Sequence, residues 1–444
     1  MDWNNLLSTK RLGTEGWKSS ESKEDRTQFQ RDYDRIIFSS PFRRMQNKTQ
    51  VFPLPEHIFV HNRLTHSLEV ASVGRSLGNL LSEKLVPENP ENPFISEIGT
   101  IVSTSCLAHD LGNPPFGHSG EAAISNFFMK GAGQEFQQKL TKAEWKDFTH
   151  FDGNANAFRL LTHQFNGKRP GGFALTYSTL AGVVKYPYES VFAKKPKFGF
   201  FQSEKADYKN IAAELNIATN AENAAIYSRH PLVYLVEAAD DICYQIMDLE
   251  DAFKLRILSY TQTKDLYLGF YDTQTDKKTL ENIDSTLNRV SDQNEQISYL
   301  RAGVIGKLIY ESSRIFNENH RQIMEGTFTG SLIGALQNKQ ADAMNAVREI
   351  SFSQVYAHRS VVEIEIAGYK IIGTLLEEFV GAVINPKDMY SRKILSLLPP
   401  QYKVESDSAY LKIQSIVDFV SGMTDIFALD LYRKIKGISL PGVV

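Results

Sequence analysis

Cysteine is nearly missing from this chain: 444 residues carry only Cys106 and Cys243. Two cysteines build no disulfide framework, which fits a reducing cytosol. Long apolar runs are missing as well. None approaches 18 residues, so no membrane span is expected. The start, MDWNNLLSTKRLGTEGWK, has no apolar h-region and does not read as a secretory signal. Excess charge of one sign is absent: 49 Lys and Arg face 52 Asp and Glu, a net charge of −3. Nothing global therefore points to nucleic acid or an acidic membrane surface. There is no internal repeat, no low-complexity tract and little strand pattern. What remains is a cytoplasmic, mostly helical protein, long enough for a large core.

The dominant period is helical. Residues 64 to 86 set Leu64, Leu68, Ala71, Leu77, Leu81 and Leu85 on one expected apolar face. VPENPENP then ends the helix, because proline cannot continue it. A second helix is expected over 95 to 111, with Ile95, Ile98, Ile101, Val102 and Leu107 inward. Gly112 is its expected stop, Asn113-Pro114-Pro115 a turn, and 118 to 130 a restarted helix. A long helix over 232 to 255 turns Leu235, Ala239, Ile242, Ile246, Leu249 and Phe253 to the core. Asp240, Tyr244 and Asp248 lie beside that stripe, one turn apart on a shared face. Further helices are expected at 282 to 325, 340 to 384 and 407 to 436. The stretch 187 to 208 mixes aromatics with lysines and reads as a long loop.

Two stretches read as halves of one metal site. LAHDLGNPPFGHSGE (107–121) carries His109 and Asp110, and LVEAADDICYQIMDLEDA (235–252) carries Asp240. His66, in NRLTHSLEVA, comes from a third segment. Two imidazoles and two carboxylates suit Mg²⁺, Mn²⁺, Fe or Zn²⁺ better than a thiolate metal. Four ligands on three helices leave positions open, as in a catalytic site. Taken singly, a His-Asp pair, a capping Asp110 and a surface Asp240-Asp241 pair are ordinary features. Cys106 and Cys243 flank the site at spacings of three, yet read better as small core residues than as zinc ligands. GKRPGG at 167–172 lacks Walker-A spacing. AKKPK at 193–197 is a small basic run, with a solvated loop, phosphate steering or a subunit contact as its readings.

Several segments together resemble the HD-domain deoxyguanosine triphosphate triphosphohydrolases. They are DYDRIIFSSPFRRMQNKTQVFPL (32–54), RLTHSLEVASVGR (63–75), AHDLGNPPFGHSGE (108–121), FDGNANAFRLL (151–161), LTYSTLAGVVKYP (175–187), LVEAADDICYQIMDLEDA (235–252), LLPPQY (397–402) and IVDFVSGMTDIFALDLY (416–432). PPFGH-x-GE and EAADDI-x-Y are far more diagnostic than the His-Asp pair alone. The resemblance implies an all-α HD-domain fold with helices added before and after it. It divides the chain into an N-terminal helical segment (1–60) contributing to the substrate site, an HD core (61–255) and a C-terminal helical region (256–444).

By position, the resemblance makes His66, His109, Asp110 and Asp240 the metal ligands and His118 with Glu121 the catalytic pair. It gives Arg63 and Lys185 to phosphate, Tyr186 to phosphate and sugar, Tyr244 and Asp248 to the deoxyribose, and Gln50 to the base. Asn154 is a substrate contact in the FDGNA pattern, and His150 a candidate catalytic histidine close by. The cofactor implied is one divalent cation, Mg or Mn first, with Fe, Ni or Zn as alternatives. The activity implied is hydrolysis of dGTP, or other dNTPs, to deoxynucleoside and tripolyphosphate. A homo-oligomer is expected, with a nucleotide or single-stranded DNA effector left open. The competing readings are another HD chemistry, such as a 5′-nucleotidase or guanosine-alarmone hydrolase, and a nucleotide-sensing module with little catalysis.

Overall fold

The computed structural model describes residues 1–14, 25–52, 60–220 and 223–439. Among them extended chain is confined to three isolated bridges, Arg11 with Thr176, Thr49 with Asn62 and Thr219 with Tyr227. The all-α class is therefore observed. Parts of the expected N-terminal segment, 15–24 and 53–59, lie outside the described residues. No described helix is long and apolar enough to cross a membrane.

Helix Arg63–Leu85 starts at a capping box, in which the Asn62 side chain accepts from the Thr65 backbone and Thr65 reciprocates. Its buried face is not the expected one at the N-terminal end. Leu68 is 44% exposed, while Arg63, His66, Ser67 and Val70 point inward. The first turn gives its inner face to polar site residues, and from Val70 onward the face becomes apolar. The next helix, Ile98–Ala108, is preceded by a 3₁₀ turn, Pro93–Glu97. It ends earlier than expected, with His109 at its cap. Gly112 is not a left-handed stop. Its glycine is needed for close approach, since a Cβ there would sit 2.1 Å from the Ala157 nitrogen.

Helix Pro231–Lys254 takes its proline at N1, where no N–H is missed. It crosses Arg63–Leu85, Ile98–Ala108 and the long helix Gln293–Glu318. These elements share one hydrophobic core. Cys106 and Cys243 lie inside it as free thiols, and burial raises both well above the usual thiol range. A second core joins helix Gly117–Lys130 to helices Arg359–Ile384 and Ala409–Ser421, through Ile124, Phe128, Ile372, Phe379 and Val420.

Three long expected helices are broken by caps. The 282–325 span divides where Asp292 accepts from Asn294 and Glu295. The 340–384 span divides at a π turn, Ser351–Val355, and again where His358 caps Arg359–Ile384. The 407–436 span divides at Thr424, which caps Asp425–Ile435. The stretch after Pro187 is irregular as expected as far as helix Lys205–Glu214. Lys194, Lys195 and Pro196 are exposed, whereas Phe198, Phe200 and Phe201 are fully buried and Lys197 beside them is half-buried.

Candidate metal and nucleotide site

The functional side chains meet where the two cores adjoin. Helix 63–85, the turn after Ala108 and helix 231–254 come from the first core, and helix 117–130 from the second. They surround an open cavity of about 240 Å³. Its lining includes Gln50, Arg63, His109, Asp110, His118, Glu121, Asn154, Lys185, Tyr186, Asp240 and Tyr244.

His66, His109 and Asp240 each offer one donor atom, all within 4.8 Å of one another. Asp240 Oδ1 is 3.1 Å from His66 Nε2 and 3.4 Å from His109 Nε2. With bonds of about 2.0–2.2 Å, ligand atoms around one cation lie roughly 3.0–3.5 Å apart, so the spacing fits. His66 does not line the cavity; it is buried and turns its Nε2 to Asp240. His109 Nε2 is buried with no hydrogen-bond partner, while its Nδ1 contacts the Cys106 carbonyl at 2.6 Å. That second bond fixes the ring and leaves Nε2 free to ligate. Burial opposes charge on His109, yet Asp110 and Asp240 outweigh it and raise its pKa to about 9. The site thus attracts positive charge, as a cation site should.

Asp110 lies beside this trio, its Oδ1 3.5 Å from His109 Nε2. Its other oxygen accepts from Arg63 at 2.6 Å, while Asn113 donates to Oδ1. Arg63 Nε is buried without a partner. Four carboxylates and three Lys or Arg cations line the cavity. That balance repels a polyanion until a divalent cation is added.

His118 Nδ1 is 2.8 Å from Glu121 Oε2, one helical turn along. The bond to Glu121 raises the His118 pKa above its ordinary 6.5. Glu121 is fixed from its other side, where Gly153 N–H donates to Oε1 at 2.7 Å. The helix begins at Phe116, a non-glycine in the left-handed region at φ 62, a conformation costing roughly 1–2 kcal/mol. Gly117 follows at φ +57, and a Cβ there would meet the Arg63 guanidinium at 2.7 Å. The turn brings His118 over Arg63 only because residue 117 lacks a side chain.

On the opposite wall Lys185 pairs with Glu237 at 3.2 Å, and Arg229 shares that carboxylate at 2.9 Å. Burial opposes the Lys185 charge, but Glu237 keeps the amine above its usual range. Asn154 donates its amide to Asp152 at 2.9 Å. Gln50 keeps its side-chain oxygen buried and unpartnered, so it has an open acceptor.

Besides His66, two expected residues are not brought into the cavity. Asp248 is buried and accepts a 2.8 Å hydrogen bond from Tyr356. Burial pushes its pKa up to about 8. His150 does not line the cavity either; its ring meets Lys146 at 3.1 Å and Thr149 at 3.2 Å, and burial lowers its pKa. The GKRPGG stretch is likewise absent from the lining.

Sequence reasoning missed Lys197 and Tyr356. Lys197 enters the cavity 3.1 Å from Asp152 and 3.8 Å from Glu121. The basic run holding it was visible, but not that its last lysine turns toward Asp152 and Glu121. Tyr356 stacks on Tyr244 with ring centroids 5.9 Å apart. It sits over a hundred residues away, and no periodicity points to it.

The C-terminal residues 335–434 match the family described as a phosphohydrolase-associated domain. That description is in keeping with the His-Asp cluster. Over 99% of its length it is 38% identical to the whole of a deoxyguanosinetriphosphate triphosphohydrolase-like protein from Synechocystis sp.. A protein with the same description from Pseudomonas aeruginosa is also 38% identical, over 99% of this chain and 100% of its own length. Another, from Listeria monocytogenes, is 34% identical over the same shares. The chain belongs to the HD-domain deoxynucleoside triphosphate triphosphohydrolase family, the family of these deoxyguanosinetriphosphate triphosphohydrolase-like relatives.

Proposed function

We propose that this protein hydrolyses dGTP, and other dNTPs to differing extents, to the deoxynucleoside and tripolyphosphate. One observation carries the reading: a His-Asp cluster and a carboxylate-held imidazole face one cavity that also holds Arg63, Lys185 and Lys197. A divalent cation held by His66, His109, Asp110 and Asp240 would polarise the α-phosphate and lower the pKa of a water.

This chain's own residues do the rest. Arg63, Lys185 and Lys197 bind the triphosphate and offset charge that grows in the transition state. The water gives up a proton to solvent and its oxygen bonds to the α-phosphorus while the bond to the sugar 5′-oxygen breaks. His118, oriented by Glu121, gives its proton to that 5′-oxygen. Gln50 offers its unpartnered carbonyl to the base. The test is chromatography of products from each dNTP and from GTP with Mn²⁺. Deoxyguanosine and tripolyphosphate are expected from dGTP. Release of dGMP with pyrophosphate, or of dGDP with phosphate, would overturn the reading.

Sugar selection follows from Tyr244, one turn of about 5.4 Å beyond Asp240 on the same helix face. A phenol ring at that height covers C2′ and leaves no room for a hydroxyl. Tyr356 braces the ring from behind. Tyr244→Ala should raise KM for dGTP and narrow the dGTP-to-GTP ratio of kcat/KM by about tenfold or more. An unchanged ratio would demote Tyr244 to core packing.

A further inference from the structure

The C-terminal helices reach into the catalytic turn through one carboxylate. Asp425 opens helix Asp425–Ile435, but capping there is done by Thr424, whose side chain accepts from Phe427. The Asp425 carboxylate is buried and directed elsewhere. Oδ1 accepts the Phe116 N–H at 3.0 Å. Oδ2 accepts the Thr49 N–H at 2.8 Å and the Thr49 hydroxyl at 2.5 Å. Phe116 and Gly117 are consecutive left-handed residues, a conformation that persists only where the surroundings over-determine it. Asp425 supplies one such constraint. Gly368 supplies another, since a Cβ there would come within 2.5 Å of the Phe116 side chain. Lys48 adds a third tie among the same segments, donating to the Asn113 carbonyl at 2.6 Å and the Ser421 carbonyl at 2.9 Å.

The two members of the His118–Glu121 pair are held differently. Glu121 is buried and anchored by Gly153. His118 is exposed, and among the described residues its ring bonds only Glu121, so its place depends on the backbone turn that carries it. Gln50 follows Thr49 directly, so the same carboxylate also fixes the chain carrying that side chain. We infer that Asp425 is a positioning residue for the proposed reaction, holding the His118 turn with one oxygen and the Thr49–Gln50 segment with the other. The inference rests on the hydrolase reading of the cavity, and it gives the phosphohydrolase-associated region a direct part in the chemistry.

The experiment compares wild type with Asp425→Ala, Asp425→Asn and the control Asp430→Asn, which alters a half-exposed residue of the same helix, paired with Lys434 on that helix. Two quantities are read in the full-length protein: kcat for dGTP, and the titration of the His118 ring by NMR with labelled histidine, assigned with His118→Gln. The charged groups facing His118 are Glu121, Arg63 and Lys197, and none is altered. Asp425→Ala should lower kcat by about 10- to 100-fold, the cost of an ångström-scale misplacement. It should also move the His118 pKa down toward the ordinary 6.5 as the bond to Glu121 loosens. Asp425→Asn, which keeps one of the two links, should show the same change in smaller measure and serves if the alanine variant does not fold. Asp430→Asn should change neither quantity. Wild-type kcat and an unmoved His118 titration in the Asp425 variants would overturn the inference. So would a loss of kcat with a lower melting temperature but an unmoved titration, since that describes a structural residue. Were wild type to release no tripolyphosphate from any dNTP, the hydrolase reading would fall. The titration would still decide whether Asp425 positions His118.

Discussion

Asp240→Asn should lose both bound metal and activity while the fold survives. The substitution keeps the shape of the side chain but removes the charge that faces His66 and His109. Asp240 is the cleaner choice over Asp110, because Asp110 also neutralises the buried Arg63. Removing Asp110 would leave that guanidinium unpaired, a penalty of several kcal/mol unrelated to metal. Elemental analysis of the purified proteins should find metal in wild type and only traces in Asp240→Asn. Release of tripolyphosphate should fall by about 10³ or more, since a metal contributes several kcal/mol to such transition states. Full activity with undiminished metal would remove the central feature of the proposed site.

His118→Gln should behave in the opposite way with respect to metal. The residue lies outside the His66–His109–Asp240 trio, so metal content should stay at the wild-type level. The kcat should fall by about 10² to 10⁴, the usual contribution of a placed proton donor. The pH profile gives an independent check. A donor works only while protonated, and the bond to Glu121 holds the His118 pKa above 6.5. Activity should therefore persist through pH 6.5 and decline as pH rises past that raised value. Glu121→Gln takes away the carboxylate, so the same decline should begin at lower pH. An unaltered kcat in His118→Gln would leave His118 as a helix-start residue with no chemical part.

Much of the site was legible because its residues sit in short segments with a chemical pattern. His109 with Asp110, His118 with Glu121, and Asp240 with Tyr244 are each neighbours in sequence or one helical turn apart. Helix geometry puts His118 with Glu121, and Asp240 with Tyr244, on one face, while His109 and Asp110 converge only because they sit where the helix ends. Helix interiors were equally legible, since Leu77, Leu81 and Leu85, or Ile242, Ile246 and Leu249, repeat at helical spacing and are buried. Where a polar site replaces the apolar stripe, that logic misleads. Leu68 was assigned inward and lies outward because His66, Ser67 and Val70 hold the inner face. Asp248 continues the Asp240–Tyr244 stripe, but a distant tyrosine takes it out of the cavity.

By itself the sequence determined the all-α class, the positions of the main helices and the chemical types gathered at the site. The first two follow from helical periodicity, and the third from short segments that resemble the family's. Tertiary structure alone decided which distant residues complete that site. Lys197 turns toward Asp152 and Glu121, Tyr356 backs Tyr244 from beyond a π turn, and Asp425 bonds Phe116 across more than three hundred residues. The physical reason is the range of the interaction. Spacing along a helix fixes neighbours within a few residues, whereas a contact between distant segments exists only once both cores have packed.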